Sequence, residues 1–309
     1  MHACTPEAAR NGIGEDEVDV TEQEPFRALA RTLYVVATPL GNLRDVTLRA
    51  LDVLRTADVI AAEDTRVSTP LLRHYGIATR PMSLHEHNEA KRAATVIDLL
   101  RASKSVALVT DAGTPAVSDP GARLVAAVRA EGLAVVPIPG PSAAVAAVSV
   151  AGLSAERFAF VGFLPSASKA RRELLGSLAP LPLAIVAYEA PHRVVRTVAE
   201  LATTLGGDRV VVMAREITKK FETIACLPLS EAVAWLEADA NRTRGEVVLV
   251  VDGPAGTTAP AALDVDRLLR ALALELPPAR AARVAAAVTG QPRDALYGRV
   301  RALRPESDD

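Results

Sequence analysis

Short apolar runs alternate with amphipathic segments along the first half of the chain. The runs LYVVAT (33–38), VALV (106–109) and AVVPI (134–138) have the composition of strands buried on both faces of a parallel sheet. The segments between the runs repeat apolar residues at helical spacing, and one of them ends at Gly76. This pattern predicts a five-stranded parallel α/β domain over residues 32–151.

The second half of the chain predicts a second α/β domain followed by a helical tail. The strand patterns LAIVAYE, RVVVMARE, FETIACLPL and EVVLVVD predict a mixed sheet over residues 152–253, and FAFVGFLPSASKARR ahead of them is interpreted as the connection into it. Pro, Gly and Thr crowd residues 254–262, which predicts a linker, and three short helical patterns predict a helical module over 263–305. Residues 1–31 are acidic and polar without an apolar period, which predicts a disordered extension.

Composition narrows the class of protein. The net charge is -2 and the pI is about 6.3, so any contact with nucleic acid must come from local basic patches. The two cysteines, Cys4 and Cys226, form no CxxC pair, which excludes a redox or zinc motif of that type and suits a reducing cytosol. Prolines interrupt the longest apolar tract (134–153), so we expect a cytoplasmic protein without a membrane span.

Two loops of small residues follow consecutive predicted strands. TDAGTP (110–115) and PIPGPS (137–142) would meet at the carboxyl edge of the sheet, where their backbone N–H groups could approach a ligand closely. Asp111 and Ser118 add side chains suited to ribose hydroxyls, an adenine edge or an amino-acid head group, and a plain turn is the alternative. The loop PLGNLRD (39–45) lacks GxGxxG and GxxxxGK[ST], which argues against a dinucleotide or a nucleoside triphosphate.

Nine strings occur in order along the chain: TPLGNLRDVTLRALDVL, AAEDTR, HEHNE, VTDAGTPAVSDPG, PIPGPSAA, FVGFLP, YEAPHR, ARE-TK-FET and RGEVVLVV. From Leu33 to about Leu303 the chain resembles the bacterial 16S ribosomal RNA cytidine 2'-O-methyltransferases, a branch of the tetrapyrrole methylase fold family. The resemblance implies two α/β domains with S-adenosylmethionine in the cleft between them, and a homodimer. It also implies methylation of a cytidine ribose in the decoding region of 16S ribosomal RNA, cytidine 1402, in the 30S subunit, with no DNA or membrane partner.

The resemblance also implies which loops contact the cofactor. The loops PLGNLRD and TDAGTP differ from the more Gly-rich first loop and the GGDP-like second loop of members that methylate tetrapyrroles, which fits the ribosomal RNA branch. With Ser118 added from the residue pattern, the predicted cofactor contacts are Pro39, Asp111, Ala112, Gly113, Ala116, Ser118, Ser142, Ala143, Tyr188 and Glu189.

A ribose 2'-hydroxyl is a poor nucleophile until it loses its proton, so a nearby carboxylate or imidazole would help. The loops AAEDTR and HEHNE supply such groups, and we predict catalytic roles for Asp64, Arg66, His87 and Glu89. The alternatives are a helix cap or salt bridge at Asp64 and a grip on an RNA phosphate by Arg66. No third ligand is fixed beside the two histidines of HEHNE, so we predict no metal site.

Basic residues form small clusters in the second half of the chain. The predicted RNA contacts are Lys169, Arg171, Arg172, Lys219, Lys220, Arg293, Arg299 and Arg301. Each cluster could instead be a solvated face, and the tail pattern fits either a helix-turn-helix or an antiparallel helical hairpin. Two other functions remain open at this point: a tetrapyrrole or other small-molecule methylase on the same fold, and a non-catalytic RNA-binding assembly factor.

Overall fold

A computed structural model describes residues 25–85, 88–254 and 265–303. The chain divides into two compact units, Met1–Ser142 and Ala143–Asp309. Within the described ranges, no helix combines the length and the apolar character that crossing a membrane requires.

The first unit contains the predicted five-stranded parallel sheet. Its strands are β1 (Thr32–Val36), β2 (Val59–Ala62), β3 (Pro81–Ser83), β4 (Val106–Val109) and β5 (Ala134–Ile138). The spatial order is β3-β2-β4-β1-β5, and every pairing is parallel. The helices are α1 (Leu48–Thr56), α2 (Thr65–His74), α3 (Glu89–Arg101) and α4 (Ala122–Ala130), and a short 3-10 helix covers Leu43–Asp45. Because all strands are parallel, the loops that follow them emerge at one edge.

Successive residues of β1 point to opposite faces of this sheet, and both faces are buried. Tyr34 packs with α1 residues such as Leu54, whereas Leu33 packs with Val96 of α3 and Leu124 of α4. A strand covered on both faces needs no polar alternation, which explains the continuous apolar runs in the sequence.

The last residues of the segment predicted to be disordered are held against this core. The backbone N–H of Phe26 donates to the carboxylate of Asp52 at 3.1 Å, and that of Leu29 donates to the Tyr34 hydroxyl at 2.8 Å. Residues 1–24 of the segment lie outside the described residues.

The second unit contains a mixed sheet, as predicted. Its strands are β6 (Phe158–Phe163), β7 (Ala184–Glu189), β8 (Val210–Arg215), β9 (Thr223–Pro228) and β10 (Val247–Val251). In the order β6-β7-β10-β8-β9, only β6 and β7 pair in parallel. The helices are α5 (Ala143–Val150), α6 (Ser168–Leu178), α7 (Val194–Leu205) and α8 (Leu229–Glu237), with a 3-10 helix over Ala240–Thr243.

Strand β6 and helix α6 lie in the segment that the sequence pattern treats as a connection. The pairing of β6 with β7 shifts register between Phe160 and Phe163, and Gly162 there has a φ of +67°. A bulge of this kind breaks the period of two, which is why FAFVGF does not show the alternation of an edge strand.

The division between the units falls before α5, whereas the sequence pattern places it after residue 151. Ala144 and Ala147 of α5 are buried against Val186 of β7 and Val248 of β10, so this helix packs on the second sheet. The proline- and glycine-rich run that ends at Ser142 is therefore the joint between the units.

Three helices close the chain, matching the three predicted helical patterns. They are α9 (Val265–Glu275), α10 (Pro278–Thr289) and α11 (Arg293–Ala302). Their shared core contains Leu269, Ala281, Leu296 and Val300. The predicted linker lies outside the described residues from position 255 onwards.

The N-terminus of α4 is capped from a distance by Glu89. Its buried carboxylate accepts hydrogen bonds from the N–H groups of Gly121 at 3.1 Å and Leu124 at 3.0 Å. A carboxylate is favoured at this end of a helix by the helix dipole. A Cβ at position 121 would lie 2.8 Å from Leu108 Cδ2, so glycine is required where α4 begins and no side chain there can provide the cap.

We predict that Glu89→Ala lowers the free energy of unfolding by about 2 to 3 kcal/mol, because it leaves two buried N–H groups without an acceptor. Glu89→Gln keeps an acceptor oxygen and should lose less than half as much. Urea unfolding followed by circular dichroism measures both variants, and equal stability of Glu89→Ala and wild type would contradict the capping role.

Arg171 of helix α6 is fully buried. Its Nε and Nη2 donate to the two carboxylate oxygens of Glu200 at 2.9 and 2.7 Å, and its Nη1 donates to the Pro165 carbonyl at 2.8 Å. The pKa of Glu200 is lowered, chiefly by the hydrogen bonds from Arg171. This bidentate pair holds α6 against α7.

We expect Arg171→Ala to destabilise the protein by about 3 to 5 kcal/mol, because removing one partner of a buried pair leaves the other uncompensated. The matched control is Arg172→Ala at the adjacent exposed position, for which we expect a change within about 0.5 kcal/mol. Thermal and urea unfolding of the two variants test this, and similar stabilities would count against it.

Candidate active site

The loops that follow β1, β4 and β5 are tied together by hydrogen bonds. Thr38 and Gly113 exchange two backbone bonds, with N···O distances of 2.9 and 3.0 Å. The Thr38 hydroxyl donates to the Thr110 carbonyl at 3.2 Å, and the Thr114 hydroxyl donates to the Pro141 carbonyl at 3.0 Å. Because β1 lies between β4 and β5, its loop can join the two loops predicted to bind the cofactor.

Small residues are required where these loops meet. Gly113 has a φ of +84°, and a Cβ there would lie 3.2 Å from Leu40 Cδ2. A Cβ on Gly140 would lie 2.9 Å from the Cβ of Ala37. Larger side chains would therefore separate the loops, and the surface that they build consists largely of backbone.

The loop after β4 also contains backbone strain. Ala116 and Ser118 have φ values of +66° and +69°, a region that residues other than glycine adopt at a cost of about 1 to 3 kcal/mol each. The Ala116 N–H donates to the Pro120 carbonyl at 3.3 Å, which holds part of this conformation. Strained residues of this kind cluster at ligand sites, and both were predicted to contact the cofactor.

A second group of polar side chains surrounds a cavity of about 430 Å³ at the ends of β2, β3 and β4. Its lining residues are Glu63, Asp64, Thr65, Arg66, Ser83, His85 and Asp111. The structure thus brings Asp64 and Arg66, predicted to be catalytic, together with Asp111, predicted to bind the cofactor.

Asp64 is the N-cap of α2 and the partner of Arg66. Its carboxylate accepts from the Arg66 N–H at 2.8 Å, from Nε at 3.0 Å and from Nη2 at 2.6 Å. These hydrogen bonds lower the pKa of Asp64 to about 2, so its carboxylate stays ionised near neutral pH. The Arg66 side chain is 89% exposed, which leaves its outer edge accessible to an anion.

Asp111 and Glu63 have a different environment. Glu63 accepts hydrogen bonds from the Thr110 hydroxyl at 2.5 Å and from the Asp111 N–H at 3.4 Å, while Asp111 accepts from the Asp64 N–H at 3.1 Å. Partial burial, followed by the negative charge of Glu63, raises the pKa of Asp111. The cavity therefore contains an aspartate that remains a weak base beside one that binds a proton more readily.

Of the other two residues predicted to be catalytic, Glu89 does not line this cavity. The Glu89 carboxylate is buried and caps α4, so the contacts seen for it are structural. His87 lies outside the described residues.

The predicted cofactor contacts of the second unit lie at the end of β7. The Tyr188 ring packs edge-on against Phe160 and Phe163, with centroid distances of 4.9 and 5.5 Å. Glu189 is buried, and its carboxylate accepts from Arg193 Nε at 2.7 Å and from the Thr197 hydroxyl at 2.6 Å. Both Glu189 oxygens thus take part in fixing the start of α7. Among the remaining predicted contacts, Pro39 is buried, and Ala112, Ser142 and Ala143 are partly exposed.

The structure separates the predicted RNA contacts into three groups. Lys219 pairs with Glu216 and Glu246, and Arg299 pairs with Asp266. Arg171 is fully buried, so it cannot reach an RNA phosphate in this conformation. The remaining exposed members are Lys169, whose Nζ lies 3.9 Å from a Glu173 carboxylate oxygen, and Arg172, Lys220, Arg293 and Arg301.

Four cavity residues were not among the predicted site residues: Glu63, Thr65, Ser83 and His85. The sequence does contain a signal for these residues, because each occurs at or just beyond the carboxyl end of a predicted strand.

Two family models match the chain. The model described as Tetrapyrrole (Corrin/Porphyrin) Methylases matches residues 32–233, and the one described as RsmI C-terminal HTH domain matches residues 259–304. Among solved structures, a cobalt precorrin-4 methyltransferase of cobalamin biosynthesis superposes with a TM-score of 0.57 and 19% identity, covering 72% of this chain and 95% of that one. The methyltransferase CobJ gives 0.55 and 20%, covering 74% and 97%. These likenesses show the fold.

Curated relatives share much more of the sequence. A ribosomal RNA small subunit methyltransferase I from Escherichia coli O157:H7 is 46% identical over 265 residues, covering 86% of this chain and 93% of the relative. The protein of the same name from Mesorhizobium japonicum is 44% identical over 297 residues, covering 96% and 98%. The chain belongs to the ribosomal RNA small subunit methyltransferase I family, on the tetrapyrrole methylase fold.

Proposed function

We propose that this protein transfers a methyl group from S-adenosylmethionine to the ribose 2'-hydroxyl of a cytidine in 16S ribosomal RNA, cytidine 1402 of the decoding region. The relatives are named as ribosomal RNA small subunit methyltransferases, which supports the substrate class. The observation that carries the proposal is the position of Asp111, which belongs to the backbone-built loop after β4 and also lines the cavity beside Asp64 and Arg66. One residue thus links the place for a methyl donor with the place for a proton acceptor.

The loops after β1, β4 and β5 fit the cofactor. At Gly113 and Gly140 an added Cβ would crowd Leu40 and Ala37, and Ala116 and Ser118 retain a strained backbone in the same region. Asp111 and Ser118 are exposed and offer a carboxylate and a hydroxyl, the groups that would bind ribose or amino-acid functions. When bound, S-adenosylmethionine supplies a methyl group already activated by the sulfonium. Alongside these residues we assign its binding to Pro39, Ala112, Ser142, Ala143, Tyr188 and Glu189.

The protein's own task is then to orient the ribose and accept its proton. Asp111 takes the proton that leaves the 2'-hydroxyl, because it lines the cavity beside Asp64 and its pKa is raised above the ordinary value of an aspartate. Asp64 stays ionised and keeps the Arg66 guanidinium in place, and the exposed edge of Arg66 binds a phosphate of the same strand. His87, which follows the cavity residue His85 by two positions in the sequence, is a second candidate for the same proton transfer.

The remaining partners follow from the same proposal. The exposed cations Lys169, Arg172, Lys220, Arg293 and Arg301 would contact ribosomal RNA in the 30S subunit. The match of the tail to a helix-turn-helix family supports a role of the last three helices in that contact. We further propose that the protein acts as a cytoplasmic homodimer.

The substrate is tested with radiolabelled S-adenosylmethionine and three acceptors: 30S subunits, free 16S RNA and a precorrin-type tetrapyrrole. We expect label in the ribosomal RNA, and mapping of the modified ribose by mass spectrometry should find it on a cytidine 2'-oxygen. Label found only in the tetrapyrrole would support a small-molecule methylase instead. Tight binding to 30S subunits without any transfer would support an assembly factor.

The assignment of the base predicts a pH profile. A base must be deprotonated to act, so the single-turnover rate should rise with pH through the pKa of Asp111, above the usual range of an aspartate. Asp111→Asn removes this base and should lower the rate about a hundredfold or more. The rise of the rate with pH, which forms the acid limb of the profile, should also be lost.

Asp64→Asn is the matched comparison, since asparagine can still cap α2 but no longer pairs with Arg66 as an anion. We expect this variant to keep the acid limb and to show a raised KM for RNA. A limb that disappears in Asp64→Asn but survives in Asp111→Asn would reverse the assignment.

A further inference from the structure

A groove of about 550 Å³ runs along α2 and shares the lining residue Thr65 with the cavity that contains Glu63, Asp64 and Asp111, called the acidic cavity below. One wall is helix α2, and the other is the chain from Gly76 to Pro81 that leads into the edge strand β3. Apart from Thr65, the residues that line this groove do not line the acidic cavity, and the sequence pattern predicts no role for the groove.

The groove exists because of how α2 ends. The Gly76 N–H donates to the Arg73 carbonyl at 3.1 Å and the Ile77 N–H donates to the Leu72 carbonyl at 2.9 Å, the pattern of a Schellman motif with Gly76 at a φ of +65°. Ile77 and Leu72 are buried in the same core cluster. This anchor turns the chain back along the helix and leaves a channel between the two.

Side chains of one helical stripe face this channel. Thr65, Thr69 and Arg73 follow each other at intervals of four residues, so they lie on one side of α2. At ~1.5 Å per residue, the eight steps from Thr65 to Arg73 extend about 12 Å along the helix. The stripe therefore leads away from the acidic cavity.

The lining is cationic and hydroxylic. Arg73 and Arg80 are exposed, and among the residues that the structure describes neither forms an ion pair. The described residues that line the groove include threonines at 65, 69 and 79 and the apolar Leu72, Ile77, Ala78 and Pro81, but no aspartate or glutamate. By contrast, Arg66 at the start of the same helix is paired with Asp64. The Thr69 hydroxyl already donates to the Thr65 carbonyl at 2.5 Å, so the two unpaired guanidinium groups are the donors suited to phosphate oxygens.

We infer that the α2 groove binds the phosphate backbone of the RNA strand next to the nucleotide whose ribose lies in the acidic cavity. This inference rests on the proposed function for the identity of the RNA, and it adds Arg73 and Arg80 to the substrate contacts. The shared residue Thr65 places the groove next to the cavity, and two exposed arginines without a carboxylate among the described lining residues favour a polyanion over an apolar protein surface.

The test is the double variant Arg73→Ala/Arg80→Ala, with binding of a fluorescent 16S RNA fragment containing the target cytidine measured by anisotropy across a series of KCl concentrations. Loss of two single-strand phosphate contacts should reduce the slope of log Kd against log salt by about 1.4, at ~0.7 for each contact. The KM for RNA should rise about tenfold, whereas kcat at saturating RNA should change much less.

Two comparisons make the result specific. Arg73→Lys/Arg80→Lys keeps the charges and should retain most of the salt slope. Arg55→Ala/Arg129→Ala removes two exposed arginines in the last turns of α1 and α4, which do not line the groove, and should leave slope and KM as in wild type.

The failure of this inference is separable from failure of the proposed function. If wild type methylates ribosomal RNA but the double alanine variant keeps its salt slope and KM, the groove does not bind RNA. A change in oligomeric state by sedimentation, with RNA binding intact, would assign the groove to a protein contact and also overturn the inference. If wild type transfers no methyl group but its RNA binding still depends on Arg73 and Arg80, the groove inference stands and the proposed reaction fails.

Discussion

The two hydrogen bonds between Thr38 and Gly113 are the constraint on which the candidate site depends. Parallel strands bring their following loops to one edge, but an edge alone does not fix loops with respect to each other. The two backbone hydrogen bonds at Gly113, together with the hydrogen bond from Thr114 to Pro141, join three separate loops into one surface. Gly113 permits this because its φ is positive and any Cβ would press on Leu40.

The same edge separates two kinds of polar chemistry. Around Ala116 and Ser118 the protein presents backbone and small side chains, whereas a cavity at β2 and β3 contains charged groups in defined pairs. Neighbouring aspartates differ there because one accepts several hydrogen bonds, whereas the other is partly shielded from water and lies beside the negative charge of Glu63. A shared acidic cluster thus provides both a permanent anion and a titratable one.

Much of this could be predicted from the sequence because it depends on local pattern. Buried parallel strands appear as continuous apolar runs, and their loops contain the small residues that close approach requires. The failures have physical reasons as well. The bulge at Gly162 breaks the alternation by which β6 could have been recognised as a strand. Helix α5 is apolar on all sides, so its sequence does not reveal which sheet it packs on. Arg171 pairs with position 200, and Glu89 accepts from positions 121 and 124. Because these partners are distant in sequence, the spacing of residues alone could not distinguish the two buried side chains from exposed charged residues.

The position of Glu89 has a consequence for motion. This residue ends the HEHNE segment, and its carboxylate holds the first turn of α4, which begins directly after the strained loop after β4. The first residue of α3 is therefore anchored to the first turn of α4 through a single buried side chain. A shift of the start of either helix must carry the other with it or break two hydrogen bonds.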